Sequence, residues 1–318
     1  MESSRRNAWI IVAFIVLAGC CLIVVLGAAL ASWSLGFPFG WSTTADSQGA
    51  PVERAFEVGD SPRLEVDNFS GSVIIHESSE GEIRVRAIKH ARRVGDLDRI
   101  QVQMSERDGR VEIRTRKPSV MGNAWVELEI AAPADTDLHL RTGSGRVEVS
   151  GVGDGAEVST GSGSVTVQGL SGEMNLHSGS GTVTARDLKG RLKASTGSGR
   201  IVIEDTTGEI DAHTGTGSID VRRVNGKVQL DTGSGSVEYQ GTPQGECRFE
   251  TGSGSISLRM PADLGAEVDL HTGSGSIEVD FGVAGQISRR DVKGTIGQDN
   301  NVSIYAHTGS GNIDLTRD

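Results

Sequence analysis

The sequence predicts an all-β chain: a single-chain parallel β-solenoid of about ten coils, about 18 residues and two strands per coil, preceded by one transmembrane helix. Three observations carry that expectation. A Thr-Gly-Ser-Gly tetrad recurs at a nearly constant interval, aliphatic residues alternate between the tetrads, and an uncharged apolar run of 24 residues stands near the N-terminus. A flexible linker would share the richness in glycine, 44 of 318 residues, but not the hydrophobic period that separates those glycines.

The chain divides into a cytoplasmic N-terminus (1–7), a transmembrane helix or signal anchor (8–35), a linker (36–62), an N-terminal β region (63–140) and the repeats (141–318). Residues 8–31 carry no charge, and at about 1.5 Å of rise each they cross a hydrocarbon layer of about 30 Å. Arg5 and Arg6 precede the run and no cation follows until Arg54, so the positive-inside rule leaves the N-terminus in the cytoplasm and the body outside. Trp9, Trp33, Phe37, Phe39 and Trp41 suit interfacial anchors. A cleaved signal peptide, or a lipoprotein signal with Leu17-Ala18-Gly19-Cys20 as lipobox, gives the same topology, but the apolar run outlasts the short core of a signal. The linker is read from its Ser, Thr, Asp, Gly and Pro content.

In the region that follows, β patterning is expected at residues 63–66, 71–76, 82–88, 100–105, 110–116 and 125–130, with Gly71-Ser72-Val73 a diverged repeat that begins the stack and caps its edge. The tetrads begin at Thr142, Thr160, Ser178, Thr196, Thr214, Thr232, Thr251, Thr272 and Thr308. The first five intervals are 18 residues and the last is 36, where Asp291-Val292-Lys293-Gly294 reads as the turn of a degenerate coil. One inward column runs Val147, Val165, Val183, Ile201, Ile219, Val237, Ile256, Ile277 and Ile313; a second runs Met174, Leu192, Ile210 and Val228. Arg186, Glu204 and Arg222 fall on one outward column as cross-strand neighbours. A meander of antiparallel hairpins is the rival arrangement. The last strand, residues 312–315, is expected to leave an open edge for edge-to-edge pairing with a second copy.

Leu64-Glu65-Val66-Asp67-Asn68, then Gly71-Ser72-Val73, then serial TGSGxV units resemble the bacterial DUF4097 family of candidate adhesins, related to auto-transporter adhesin head domains, over residues 63–318. The resemblance implies a β-solenoid with a binding role and offers no catalytic motif.

The net charge of −11, with no basic stripe, argues against nucleic acid as a partner. Cys20, Cys21 and Cys247 form no disulfide framework. No catalytic, cofactor-binding or metal-ligating residue is assigned, and no cofactor is expected. His177, His213, His271 and His307 share an outward column, yet each pair is expected two coils apart, roughly 9–10 Å, too far for one metal ion. Asp220 with Glu238, and Asp231 with Glu250, are adjacent carboxylates that a cation or an acid–base reaction could use; they read as solvated charges. The corners carry Ser164, Thr182, Arg200, Ser218 and Ser236 where a calcium-binding roll carries aspartate. The threonines of the tetrads read as hydroxyls that satisfy corner backbone groups, although a threonine ladder on a flat face also binds ordered ligands.

The expected function is therefore a membrane-anchored, extracytoplasmic module of structural or adhesive type, with a glycan, an envelope component or a membrane protein as partner and no catalysis. An envelope sensor or regulatory subunit is the alternative, and a β-helical enzyme acting on polysaccharide comes third.

Overall fold

The computed structural model describes residues 46–119, 122–298 and 301–318. The expected transmembrane segment, the residues before it, Cys20 and the start of the linker lie outside the described residues. Among the described residues no helix is long and apolar enough to cross a membrane.

Strands β1 (Ser47–Gln48), β2 (Val52–Glu57), β3 (Arg63–Asn68), β4 (Val73–Glu77), β5 (Glu82–Ala91), β6 (Gln101–Arg107), β7 (Arg110–Arg116) and β8 (Ala124–Ala132) come first. A 3₁₀ turn at Val94–Arg99 separates β5 from β6. Seven coils then follow, most of them a longer strand and a shorter one: β9 (Asp137–Ser144) with β10 (Val147–Ser150), β11 (Asp154–Ser162) with β12 (Val165–Gln168), β13 (Ser171–Ser180) with β14 (Val183–Arg186), β15 (Lys189–Ser198) with β16 (Ile201–Glu204), β17 (Thr207–Thr216) with β18 (Ile219–Gly226), β19 (Val228–Ser234) with β20 (Val237–Pro243), and β21 (Glu246–Ser253) with β22 (Ile256–Met260). The chain ends with β23 (Ala266–Thr272), β24 (Ile277–Val279), β25 (Val283–Ile287), β26 (Asp291–Ile296), β27 (Ser303–Ser310) and β28 (Ile313–Arg317). All belong to one 28-stranded open sheet.

From β9 to β22 every coil pairs in parallel with the next, in register. Both expected inward columns are present: Val165, Val183 and Ile201 stand opposite one another, as do Met174, Leu192, Ile210 and Val228. The stack follows from the sequence because β-branched side chains with period 2 pack on a pleated surface, and a strand one coil away sits about 4.8 Å distant. Each buried Val, Ile or Leu contributes about 1.5–3 kcal/mol. No antiparallel meander occurs within β9–β22.

The order of coils in space departs from their order in the chain at both ends. At the C-terminal end, β27 and β28 lie between β21/β22 and β23/β24, so Ile313 is the neighbour of Ile256 on one side and Ile277 on the other. The final strand is thus paired along both edges, which overturns the expected open edge at residues 312–315. Residues 291–294 are not the corner of a degenerate coil. They belong to β26, which pairs antiparallel with β23 and with β25. At the N-terminal end the same inversion holds: β3/β4 lies between β9/β10 and β7/β8. There β5 pairs antiparallel with β8, and β6 with β7. The expected linker 36–62 is not purely linker, since β1 and β2 within it pair antiparallel with β5.

The tetrad threonines are buried rather than ranged on a face, which removes the ligand-binding ladder from consideration. In the regular array the hydroxyl donates to the carbonyl of the second glycine of the preceding corner: Ser178 to Gly163 at 2.9 Å, Thr196 to Gly181 at 3.1 Å, Thr214 to Gly199 at 3.2 Å and Thr232 to Gly217 at 2.9 Å. A buried acceptor left without a partner costs about 1–3 kcal/mol. Thr232→Val, which keeps the shape and removes the donor, is expected to lower stability by about that amount in urea denaturation. Thr232→Ser keeps the donor, as Ser178 does at its own corner, and should cost less than half as much.

Candidate functional site

The longer strands of successive coils form one face of the stack and the shorter strands the other, and the alternation that buries one set of side chains turns the other outward. On the longer-strand face, neighbouring rungs carry opposite charges. Arg191 bonds Glu209 at 2.6 Å from the adjacent coil. On the other face Arg186 bonds Glu204 at 2.8 Å, while at the corner Arg223 grips Asp205 through two bonds of 2.6 and 2.7 Å. The Asp205 carboxyl is held below its usual range by that guanidinium. Exposed pairs of this kind contribute about 0–1 kcal/mol each and serve register more than stability. Arg222, expected to bridge to Glu204, turns instead to Asp220 at 2.8 Å and lies 3.7 Å from Glu238.

The histidines share a column as expected, and His177 and His213 stand two coils apart with Ser195 between them, but His271 and His307 do not keep that spacing. His177 shares a hydrogen bond with Ser195 at 2.9 Å and His213 with Asp231 at 2.9 Å. Because β27 is inserted beside β23, His271 and His307 are direct neighbours, with rings stacked at a centroid distance of 5.2 Å. Chain order is not spatial order at this end of the stack, so the expected two-coil separation does not hold for that pair. His271 also contacts Asp291 of β26 at 2.5 Å. Among the described residues no three His, Cys, Asp or Glu side chains are arranged to hold a metal ion.

Both carboxylate pairs fall on adjacent coils, Asp220 opposite Glu238 and Asp231 opposite Glu250. Asp220 differs from the rest. Only 9% of it is exposed, its Oδ1 finds no hydrogen-bond partner among the described residues, and burial pushes its carboxyl up against the opposing pull of Arg222. The guanidinium already between the two carboxylates leaves no room for a cation in that pair. A carboxyl whose pKa rises on folding above 3.8 binds its proton more readily in the folded state, so its contribution to stability falls as pH rises through that interval. Asp220→Asn is therefore expected to be less destabilising, relative to wild type, at pH 7 than at pH 3. Urea midpoints at the two pH values check this.

One stretch of the longer-strand face combines relief with unsatisfied chemistry. Asn175, Lys193, Asp211, Lys227 and Gln229 line a depression of about 280 Å³ spanning β13 to β19. Neither Lys193 nor Lys227 makes an ion pair among the described residues. Ammonium, amide and carboxylate groups set on a stiff sheet can meet a polyhydroxylated or zwitterionic ligand through several hydrogen bonds at once. No residue of this group stands out in the sequence. Its only signal there is that four consecutive coils place a charged or amide residue at one outward offset, Asn175, Lys193, Asp211 and Gln229.

A family model described as Toastrack DUF4097 matches residues 62–316. The chain belongs to this family. The Toastrack match covers the inverted N-terminal coils as well as the regular array. Among solved structures, this Toastrack chain is similar to a candidate adhesin from Bacteroides fragilis at 12% identity and a TM-score of 0.34, covering 84% of this chain and 97% of that one. A candidate adhesin from Parabacteroides distasonis aligns at 11% identity and a TM-score of 0.32, covering 84% and 98%. A candidate cell adhesion protein from Clostridium sporogenes gives 12% and 0.23, covering 85% and 100%. The search of curated proteins finds no match.

Proposed function

We propose that this Toastrack protein is a single-pass, membrane-anchored binding module whose body lies outside the cytoplasm and presents the longer-strand face to a glycan or other polar component of the envelope. The observation that carries this reading is the depression around Lys193 and Lys227, where unpaired ammonium groups stand beside Asn175, Asp211 and Gln229 on a backbone fixed by parallel pairing on both sides. A rigid, preformed surface loses little entropy on binding, which is the requirement for affinity from hydrogen bonds alone. Residues 8–35 supply the anchor, and the charge asymmetry of Arg5 and Arg6 supplies the orientation.

The test is retention of the full chain, held in nanodiscs, on an array of envelope glycans and on isolated envelopes. Binding is expected, and the Lys193→Ala, Lys227→Ala double variant should lose it by tenfold or more while keeping the same circular dichroism. Equal retention of the wild-type and double-variant chains would overturn the assignment of this face. Capture of one membrane protein in place of any glycan would move the function to a regulatory subunit.

A further inference from the structure

The N-terminal end of the stack is basic in a chain that is acidic as a whole. Residues 82–117, which comprise β5, the 3₁₀ turn, β6 and β7, hold eleven lysines and arginines against six aspartates and glutamates, a surplus of five positive charges where the whole chain carries −11. Several of these cations are already paired, such as Arg84 with Glu80 and Glu82, and Arg114 with Glu112. Lys89, Arg92, Arg93, Arg116 and Lys117 form no ion pair among the described residues, and the backbone gathers them at one corner. The Arg92 amide donates to the Asn123 carbonyl at 3.2 Å, and Lys117 Nζ donates to the Gly122 carbonyl at 3.0 Å, so the end of β5 and the loop after β7 meet there. Arg116 stands opposite Gln101, directly after the 3₁₀ turn. At the tip of that turn Val94 is 71% exposed, beside Arg92 and Arg93. The acids in the vicinity are Asp46, Asp96, Asp98 and Glu127, of which Asp96 is paired with Arg99 and Glu127 with His90.

The described chain also begins at this corner. Ser47 and Gln48 pair with Ala91 and His90, and the Gly49 amide donates to the Lys89 carbonyl at 2.8 Å. Ser47 comes six residues after Trp41, the last aromatic of the expected interfacial set. With Trp41 at the headgroups, as the anchor proposed above requires, six residues at no more than about 3.5 Å each can reach about 20 Å.

We infer that this corner is a contact surface for anionic phospholipid of the membrane in which the chain's own N-terminal segment is anchored, with Arg92 and Arg93 facing phosphates and Val94 entering the interface. The inference rests on the anchor proposed above. Cations within a Debye length of an anionic bilayer, about 8 Å at physiological salt, are drawn to it, and a single exposed apolar side chain at the same tip adds depth. The acidic remainder of the body is repelled by the same surface.

The full chain with Cys20→Ala, Cys21→Ala and Val94→Cys, labelled with an environment-sensitive fluorophore, tests this in vesicles; Cys247 is buried and does not compete for label. Emission is expected to shift to the blue in phosphatidylcholine vesicles containing phosphatidylglycerol relative to phosphatidylcholine alone. Arg92→Glu with Arg93→Glu, or high salt, should abolish the shift. Identical emission in both vesicles, with the chain still floating with them, would overturn the lipid contact and leave the anchor standing. Failure to float would overturn the anchor itself. An equal shift with soluble polyphosphate and no vesicles would make the corner a general polyanion site and overturn the assignment to lipid.

Discussion

Gly208→Ala is expected to lower stability by about 2–6 kcal/mol, the sum of a left-handed backbone penalty and a steric one. Gly208 has φ +135°, and a Cβ there would overlap the carbonyl oxygen of Gly190 on the neighbouring coil. That oxygen cannot retreat. Gly190 is itself held in register by Gly172 on its far side, so any shift propagates through consecutive rungs. At about 2–4 °C per kcal/mol for a body of this size, the thermal midpoint should fall by roughly 4–24 °C. Gly282→Ala is the control, because nothing lies within 4 Å of its added Cβ. A midpoint for Gly208→Ala close to that of wild type would mean that the coils are not stacked as tightly as described.

The distinction between those two glycines shows what the sequence could convey. A period of 18 fixes which residues are equivalent, and equivalence alone places Val165 with Val183 and Met174 with Leu192. It also places the tetrad hydroxyls at one corner, where their burial follows from the carbonyl each must satisfy. Neighbourhood is a separate matter. Ile277 and Ile313 fit the same column whichever of them is next to Ile256, because every coil offers the same edge to the next. The 36-residue interval has the length of a missed coil, yet residues 283–287 and 291–296 alternate about a polar Ser-Arg-Arg turn as a hairpin does, and that is the legible sign of β25 and β26. The basic corner is hidden for a related reason. Its cations belong to the ends of β5 and β7 and the turn between β5 and β6, which come together only through antiparallel pairing outside the repeat.

The inverted order makes the C-terminal coil a structural wedge, and its removal is expected to have an effect that a sequential stack forbids. In a sequential array the last coil is the most dispensable, since it contacts one neighbour only and its loss leaves the remaining rungs paired. Here β27 bonds β21 on one side and β23 on the other, and β28 bonds β22 and β24. Deleting residues 303–318 removes the fully buried side chains Ile304, Ile313 and Leu315, at about 1.5–3 kcal/mol each, leaves β21/β22 paired with β19/β20 on one side only, and leaves β23 with β26 alone. The loss is comparable with the whole stability of a typical domain, about 5–15 kcal/mol. Hydrogen exchange of the truncated protein should therefore be faster from β21 to β24, most of all at the amide of Ile256, which bonds the Asn312 carbonyl at 2.9 Å. Protection in β13 to β17 should persist, because those rungs keep both neighbours and repeat arrays unfold by segments. If exchange in β22 and β24 is unchanged by the deletion, the final coil does not hold them in register, and it is a terminal rung after all.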